Sequence, residues 1–196
     1  MADSRVFRGT VLPGRNLTSA TIERTSNELL GVTGESIVPG SLNIVLDTPL
    51  RLSRETKRTF NGGQGFLWPA RFNGARVWIY RWPATPLQVV EILSLVHLRT
   101  QFGLSDGTRV TIEIERANIA SVGALGFLGW MFVWLGRSDL FYRSNRYRRH
   151  AMPASVYFKA SQCRGNTARE DFLRSVTTIA QRLAGRLLMR RRNRSA

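Results

Sequence analysis

Turn signals divide the first 116 residues of this 196-residue chain into short segments. Each break is a glycine preceded by Pro, Asn or Asp, a pairing typical of tight turns. The breaks lie at Pro13-Gly14, Pro39-Gly40, Asn61-Gly62, Asn73-Gly74 and Asp106-Gly107. Many short segments with little room for helices between them favour strands. The turn pattern therefore predicts a mainly β fold, either a barrel or a sandwich.

The clearest strand pattern follows the last of these turns. In Arg109–Arg116, Val110, Ile112 and Ile114 alternate with polar residues, so one face is predicted to be buried and the other hydrated. Further segments rich in apolar residues predict strands at Val6–Leu12, Leu42–Leu46, Arg76–Arg81 and Leu87–Leu95, and Ser26–Leu30 fits a short helical turn.

Residues 117–196 have a different character. Residues 117–136 carry no charge and lie between Arg116 and Arg137. About 20 apolar residues can span a bilayer, but this run also contains four glycines, so a span, an interfacial helix and a buried helix all remain open. A capping box at Thr167–Glu170 predicts a later amphipathic helix. We therefore divide the chain into a barrel-like part, 1–116, and an apolar and arginine-rich helical extension, 117–196.

The charge of the chain indicates anionic partners. Its formal charge is +16, and of 29 basic residues only Lys57 and Lys159 are lysines. The planar guanidinium suits phosphates, so nucleotides, nucleic acid and anionic lipid are candidates; an arginine-rich genome is the alternative explanation. One cysteine, Cys163, excludes an internal disulfide. No signal peptide is apparent, so we expect a cytoplasmic protein, with membrane association through the extension left open.

Three segments follow one another in a recognisable order. They read P-G-S-L-N at Pro39–Asn43, V-E-I-L at Val90–Leu93 with Leu98-Arg99 behind it, and F-G-L-S-D-G-T-R-V at Phe102–Val110. This order resembles the archaeal-type CTP-dependent riboflavin kinases, whose corresponding segments include P-x-G-T-L-N and L-x-D-G-D-x-V. The resemblance covers roughly residues 6–116.

The resemblance implies a fold and an activity. The fold is a six-stranded cradle-loop-type barrel, to which the extension would add helices. The activity is transfer of the γ-phosphate of CTP to the 5′-hydroxyl of riboflavin, which gives FMN. Riboflavin and CTP would be the partners, and Mg²⁺ the cofactor.

Two residues of the first segment are implied metal ligands. Ser41 and Asn43 match the Thr and Asn of that family that coordinate Mg²⁺, and both carry the hard oxygen atoms that this ion prefers. A turn leading into a strand, with Asn43 bonded to its own backbone, is the alternative reading of the same residues.

The second segment supplies the implied flavin contacts. Glu91 matches a glutamate that contacts riboflavin, and it could orient the hydroxyl or act as a general base. Thr85 is the nearest candidate for the flavin-contacting threonine, with Pro83 at the ungapped position. The alternative for Glu91 is an outward strand residue beside an arginine.

Two stretches are the implied nucleotide-binding elements. Val96, His97, Leu98 and Arg99 match the segment that meets the nucleotide, with His97 alternatively an ordinary surface residue. Where the family has a G-x-G-x-G loop, this chain retains one glycine and offers side-chain donors. The residues of that stretch are Gly14, Arg15, Asn16, Thr18 and Ser19.

A second hypothesis from a different class uses the same barrel without catalysis. The chain would bind a flavin or nucleotide, and its basic tail would dock on membrane or nucleic acid. A dedicated single-strand platform needs exposed rings among its cations, which this sequence does not interleave. Trp68, Tyr80 and Trp82 fit a core or a flavin pocket better, so nucleic acid is the less expected partner.

Overall fold

The computed structural model describes residues 3–14, 18–82 and 85–134. Arg15, Asn16 and Pro83 lie outside the described residues, as do residues 135–196, which include the helix predicted from Thr167.

The described residues contain nine strands and four helices. The strands are β1 (Ser4–Leu12), β2 (Leu42–Leu46), β3 (Arg51–Leu52), β4 (Arg58–Phe60), β5 (Gly65–Phe72), β6 (Ala75–Arg81), β7 (Val89–Leu93), β8 (Arg109–Glu115) and β9 (Ile119–Ala120). The helices are α1 (Thr18–Arg24), α2 (Ser26–Thr33), α3 (Leu98–Gln101) and α4 (Gly123–Trp134), with a 3-10 turn at Arg116–Asn118. The five predicted strands are confirmed as β1, β2, β6, β7 and β8.

Six of the strands close into an antiparallel barrel. The order is β5-β6-β7-β2-β1-β8, and β8 pairs back onto β5 through Arg71 opposite Glu113 and Phe72 opposite Ile112. β4 is an extra strand on the same edge of β5, opposite residues 65–67. The prediction of a mainly β, six-stranded barrel is therefore confirmed.

No sequence pattern above predicts β5, the strand that closes the barrel. It contains Pro69, which cannot donate a ladder hydrogen bond. The carbonyl of Pro69 accepts from Asn118 Nδ2 at 3.4 Å, on the edge between the parts of β5 that pair with β4 and with β8. The proline therefore lies where neither strand needs its amide.

The interior of the barrel is filled by alternate side chains of its strands. Val90 and Ile92 of β7 point inward, as do Val77 and Ile79 of β6. The inward residues of β8 are the apolar half of the predicted alternation, Val110, Ile112 and Ile114. Leu98 and Phe102, at the ends of α3, pack against this cluster, and the Phe102 ring meets Phe72 edge-on at 5.6 Å.

A second apolar cluster lies on the outer side of the wall, beneath α1 and α2. Ile22 of α1 and Leu29 of α2 pack there against outward residues of β6 and β7, including Trp78, Tyr80 and Leu93. Since successive strand residues face opposite sides, Glu91, between inward Val90 and Ile92, faces the same side as this helical cover.

The apolar run 117–136 does not form one continuous helix. Asn118 ends the 3-10 turn, and β9 pairs with β3, with Leu52 opposite Ile119 and Arg51 opposite Ala120. Only from Gly123 does the chain become helical, as α4. No helix within the described residues has the length and apolar character to cross a membrane.

Candidate functional site

Three polar residues form a row across neighbouring strands. Glu91 of β7 is paired with Asn43 of β2 on one side and with Tyr80 of β6 on the other. The exposed fractions of the three side chains are only 7–8%. Cross-strand neighbours lie close enough to interact, so the ladder alone brings together residues that are far apart in the sequence.

Glu91 accepts hydrogen bonds from two hydroxyl groups outside this row. Thr18 Oγ1, at the start of α1, donates to Glu91 Oε2 at 2.7 Å, and Ser41 Oγ donates to the same oxygen at 3.1 Å. Gly40 precedes Ser41 with φ +116°, a conformation that residues with a Cβ rarely adopt. We call Thr18, Ser41, Asn43, Tyr80 and Glu91 the Glu91 cluster.

The two oxygens of Glu91 differ in their environment. Both hydroxyl donors use Oε2, whereas Oε1 receives no hydrogen bond from any residue of the described ranges. An ionised carboxylate has room for several donors. Oε1 is therefore the position at which a ligand hydroxyl could donate to this cluster.

Tyr80 is the electrostatic neighbour of Glu91. Burial raises the pKa of Tyr80 to about 12, and the negative charge of Glu91 adds to the shift. Both effects disfavour a phenolate. Tyr80 is accordingly a neutral phenol over the physiological pH range and can serve as a hydrogen-bond donor.

The oxygen atoms of the cluster suit a cation that is held mainly by phosphates. Ser41 Oγ uses its hydrogen to donate a hydrogen bond to Glu91, so the lone pairs of its oxygen are left for an ion. The amide oxygen of Asn43 and the carboxylate are further hard ligands. Among the described residues no group of three His, Cys, Asp or Glu side chains could hold a metal. These oxygens could supply part of a Mg²⁺ coordination shell, and the remaining ligands would have to come from elsewhere, such as phosphate oxygens.

The predicted nucleotide segment contributes one buried, two exposed and one tethered side chain. Leu98 is 5% exposed and packs into the barrel, so its side chain is not available to a ligand. Val96 and His97 are exposed beside it. Arg99 Nη2 donates to the carbonyl of Leu12 at 2.6 Å and pairs with Asp106 at 2.8 Å. Arg99 thus ties the end of β1 to the loop before β8.

The stretch expected to form a nucleotide loop is helical in its second half. Gly14 is exposed after β1, but Thr18 and Ser19 are the first two residues of α1. Ser19 Oγ lies 3.9 Å from the position of a Cβ built on Gly40. The start of α1 therefore sits against the turn that carries Ser41.

Thr85 is not part of the Glu91 cluster. It lies in the connection between β6 and β7 and is 1% exposed. Its hydroxyl accepts from the amide of Trp82 at 3.0 Å, and its own amide donates to the carbonyl of Trp82. These two hydrogen bonds hold Thr85 against Trp82 in the connection between β6 and β7.

Tyr80 is the member of the cluster to which sequence reasoning gave no specific role, since it was named only as a core or flavin-pocket residue. Neither its side of β6 nor its pairing with Glu91 could be read from the strand prediction.

No protein-family model matches this chain, and no curated protein matches it.

Proposed function

We propose that this chain is a CTP-dependent riboflavin kinase that transfers the γ-phosphoryl group of CTP to the 5′-hydroxyl of riboflavin. The observation that supports the proposal is the assembly of Thr18, Ser41, Asn43 and Glu91 at one place on a closed six-stranded barrel. Ser41, Asn43 and Glu91 were each singled out by the resemblance for metal or flavin binding, Thr18 for nucleotide binding, and they lie in segments far apart in the sequence.

Glu91 is the residue that would orient the acceptor. A ribityl hydroxyl that donates to Oε1 would have its oxygen lone pairs turned away from the carboxylate and toward the phosphate. The new bond forms between this oxygen and the γ-phosphorus, and the bond from the γ-phosphorus to the bridging oxygen breaks. The hydroxyl proton passes to Glu91 and then to solvent, and CDP and FMN are the products. Phosphoryl transfer depends chiefly on such positioning and on charge neutralisation.

Ser41 and Asn43 would hold the Mg²⁺ that accompanies CTP. When bound, the ion neutralises charge on the phosphates. Thr18 keeps the carboxylate of Glu91 fixed beside these ligands through its 2.7 Å hydrogen bond. The roles are thus separated: two residues hold the ion, and one orients the hydroxyl.

Arg99 is the candidate phosphate contact. Its guanidinium already pairs with Asp106, with side-chain exposed fractions of 37% and 47%. A nucleotide phosphate would therefore replace a partly solvated carboxylate, an exchange of one anion for another. The hydrogen bond from Arg99 to the Leu12 carbonyl keeps its guanidinium near the loop that follows β1.

The direct test is product formation with each nucleotide. Purified protein is incubated with riboflavin, Mg²⁺ and one of CTP, ATP, GTP or UTP, and FMN is separated by chromatography. We expect FMN with CTP and Mg²⁺ together and none when Mg²⁺ is chelated. Absence of FMN with all four nucleotides would refute the kinase.

Two variants locate the activity. Asn43→Ala should abolish FMN formation without loss of fold, because it removes a metal ligand and not a core side chain.

Glu91→Gln should lower kcat more than it raises KM for riboflavin. The matched control is Glu113→Gln on β8, since Glu113 also accepts from a serine hydroxyl, Ser4 Oγ at 2.5 Å. Equal effects of the two glutamate variants would exclude a specific role for Glu91.

A flavin-binding protein without transferase activity is the second candidate. It is favoured by α1, which begins at Thr18 within the stretch where the family has its glycine-rich loop. Quenching of riboflavin fluorescence by the protein, unchanged by CTP and without FMN, would support this candidate. In that case Glu91→Gln should weaken riboflavin binding.

A further inference from the structure

Helix α4 has no polar face. Its twelve residues are Gly, Ala, Leu, Phe, Trp, Met and Val only, so no side chain in it is charged or carries a hydroxyl or an amide. A helix that is apolar all round is normally buried in protein or in lipid. In the described residues, however, Phe127 is 45% exposed and Leu128 is 36% exposed. The exposed side chains of α4 therefore need an apolar environment beyond the described residues.

The start of α4 is fixed to the barrel. β9, three residues before the helix, pairs with β3, and Arg51 Nη1 donates to the carbonyl of Ser121 at 3.2 Å. The rings of Phe127 and Trp130 lie 5.5 Å apart, one helical turn further on. The helix thus presents aromatic side chains next to a segment that is paired with β3.

The charge of the sequence around α4 indicates what covers it. Residues 135–196 contain 15 arginines and lysines and 3 acidic residues, a net charge of +12. Four of these arginines, Arg143, Arg146, Arg148 and Arg149, follow α4 closely. A second copy of the chain would bring the same positive charge against itself, whereas an anionic lipid surface attracts both the arginines and the apolar side chains.

We infer that α4 docks the protein on an anionic bilayer surface. Phe127, Leu128 and Trp130 enter the boundary between headgroups and acyl chains, and the arginines beyond the helix contact lipid phosphates. The barrel with its Glu91 cluster is then held at the membrane while the cluster remains outside the lipid, under α1 and α2. This inference does not depend on the proposed kinase activity.

Flotation of the full chain with lipid vesicles tests the inference. One set of vesicles contains only phosphatidylcholine, and the other contains phosphatidylglycerol as well. We expect binding to the anionic vesicles alone. The double variant Phe127→Ser with Leu128→Ser should bind roughly tenfold less or weaker still, because both side chains lose apolar area buried in lipid.

A matched control removes two apolar side chains elsewhere that are at least as exposed as Phe127 and Leu128. Val6 of β1 is 59% exposed and Leu30 of α2 is 49% exposed. The variant Val6→Ser with Leu30→Ser should float like the unmodified protein. Equal losses of vesicle binding in both double variants would overturn the role of α4. Unchanged vesicle binding in both would overturn it too, and would leave the arginines alone as the contact.

Three further outcomes would also overturn the inference. The first is failure of the unmodified protein to float with anionic vesicles. The second is a dimer, detected by light scattering, that the α4 variant dissociates, which would make a second copy the cover. The third is binding of an RNA oligonucleotide through α4 in preference to vesicles. Should the α4 variant unfold, quenching of tryptophan fluorescence by brominated lipids in the unmodified protein, reduced in Trp130→Phe, decides the question, and absence of that quenching refutes the docking.

Discussion

The two sides of the barrel wall carry different kinds of residues. The inner side is an apolar cluster to which β2, β6, β7 and β8 contribute alternate positions, such as Ile44, Ile79, Ile92 and Ile112. The outer side beneath α1 and α2 is also apolar in part, but it accommodates Asn43, Tyr80 and Glu91 at similar burial. The difference shows where a polar site can form in this fold.

A buried polar group needs hydrogen-bond partners, and the two sides of the wall differ in the groups available as partners. On the outer side, Thr18 of α1 and Ser41 before β2 provide hydroxyl donors to Glu91. The backbone groups of the strands are used in ladders within the wall and are available to neither side, so an inward polar side chain would face mainly the apolar residues of the inner cluster. Arg81 is a large polar side chain that continues the inward register at the end of β6, where the carbonyls of Leu50 and Leu87 accept from it at 2.9 and 2.8 Å.

The largest effect should come from a cavity on the inner side. Phe72 is fully buried and contacts Phe102 across the closure of the barrel. Phe72→Ala should lower the free energy of unfolding by about 4 kcal/mol. Leu29→Ala, an equally buried site on the outer side, should lower it by about 2 kcal/mol, near the low end for such a truncation, because α2 can shift over the wall.

Urea unfolding measures both values, and hydrogen exchange separates their origins. In Leu29→Ala the amides of β7 and β8 should stay protected while those of α2 exchange faster. Uniform loss of protection in both variants would show that the two sides unfold as one unit and would remove the distinction between them.

Close backbone contact at Gly9 gives the next largest effect. A Cβ on Gly9 would lie 2.6 Å from the carbonyl oxygen of Val45, in the paired strand β2. Gly9→Ala should therefore lower the free energy of unfolding by about 3 kcal/mol. The control is Gly31→Ala in α2, where nothing lies within 4 Å and where alanine favours the helix by about 0.5–1 kcal/mol. Opposite signs in urea unfolding are expected; a neutral Gly9→Ala would contradict the packing of β1 on β2.

Alkaline pH should lower the free energy of unfolding through Tyr80, on the outer side of the wall. Burial and the charge of Glu91 raise the pKa of Tyr80 to about 12, whereas an unfolded tyrosine ionises near pH 10. The contribution of Tyr80 is complete below pH 10 and is lost as the pH rises toward 12, because only the unfolded chain ionises in that interval.

Measuring unfolding against pH in the unmodified protein and in Tyr80→Phe isolates this group. The difference in the free energy of unfolding between the two proteins should decline between pH 10 and 12. In Glu91→Gln the pKa of Tyr80 should fall, since the neighbouring charge is gone, but stay above 10 because burial remains. A pH dependence that is identical in Tyr80→Phe and the unmodified protein would place the effect elsewhere.

The smallest effect is expected for the pair of Arg99 and Asp106. Both side chains are partly exposed, and pairs of this kind contribute less than about 1 kcal/mol. Asp106→Asn should therefore leave urea unfolding almost unchanged. Arg99→Ala should destabilise more, because it also removes the hydrogen bond to the Leu12 carbonyl. A large effect of Asp106→Asn would mean that this loop is part of the core.

The sequence by itself determined the strands that have one wet face and the turns that separate them. β8 alternates between buried and exposed residues because its outer face meets solvent, and its boundaries were readable for that reason. Asn61 and Asn73 adopt positive φ, as their turn sequences predict. The resemblance named Ser41, Asn43 and Glu91 without knowledge of their contacts, and the metal and substrate roles it implies stay predictions.

Only the tertiary structure decided which strands meet and which side of each strand carries the polar row. All five residues of β7, Val-Val-Glu-Ile-Leu, are buried, because α1 and α2 cover its outer face. The outer face of β8, in contrast, is open to water. Without a wet face there is no alternation to read in β7. In β5 the alternation is confined to its second half, where Pro69 and Arg71 are the less buried residues, and a proline there argues against a strand. The contact of Glu91 with Tyr80, Asn43 and Thr18 joins residues between 11 and 73 positions apart, and such contacts exist only once the ladders have formed.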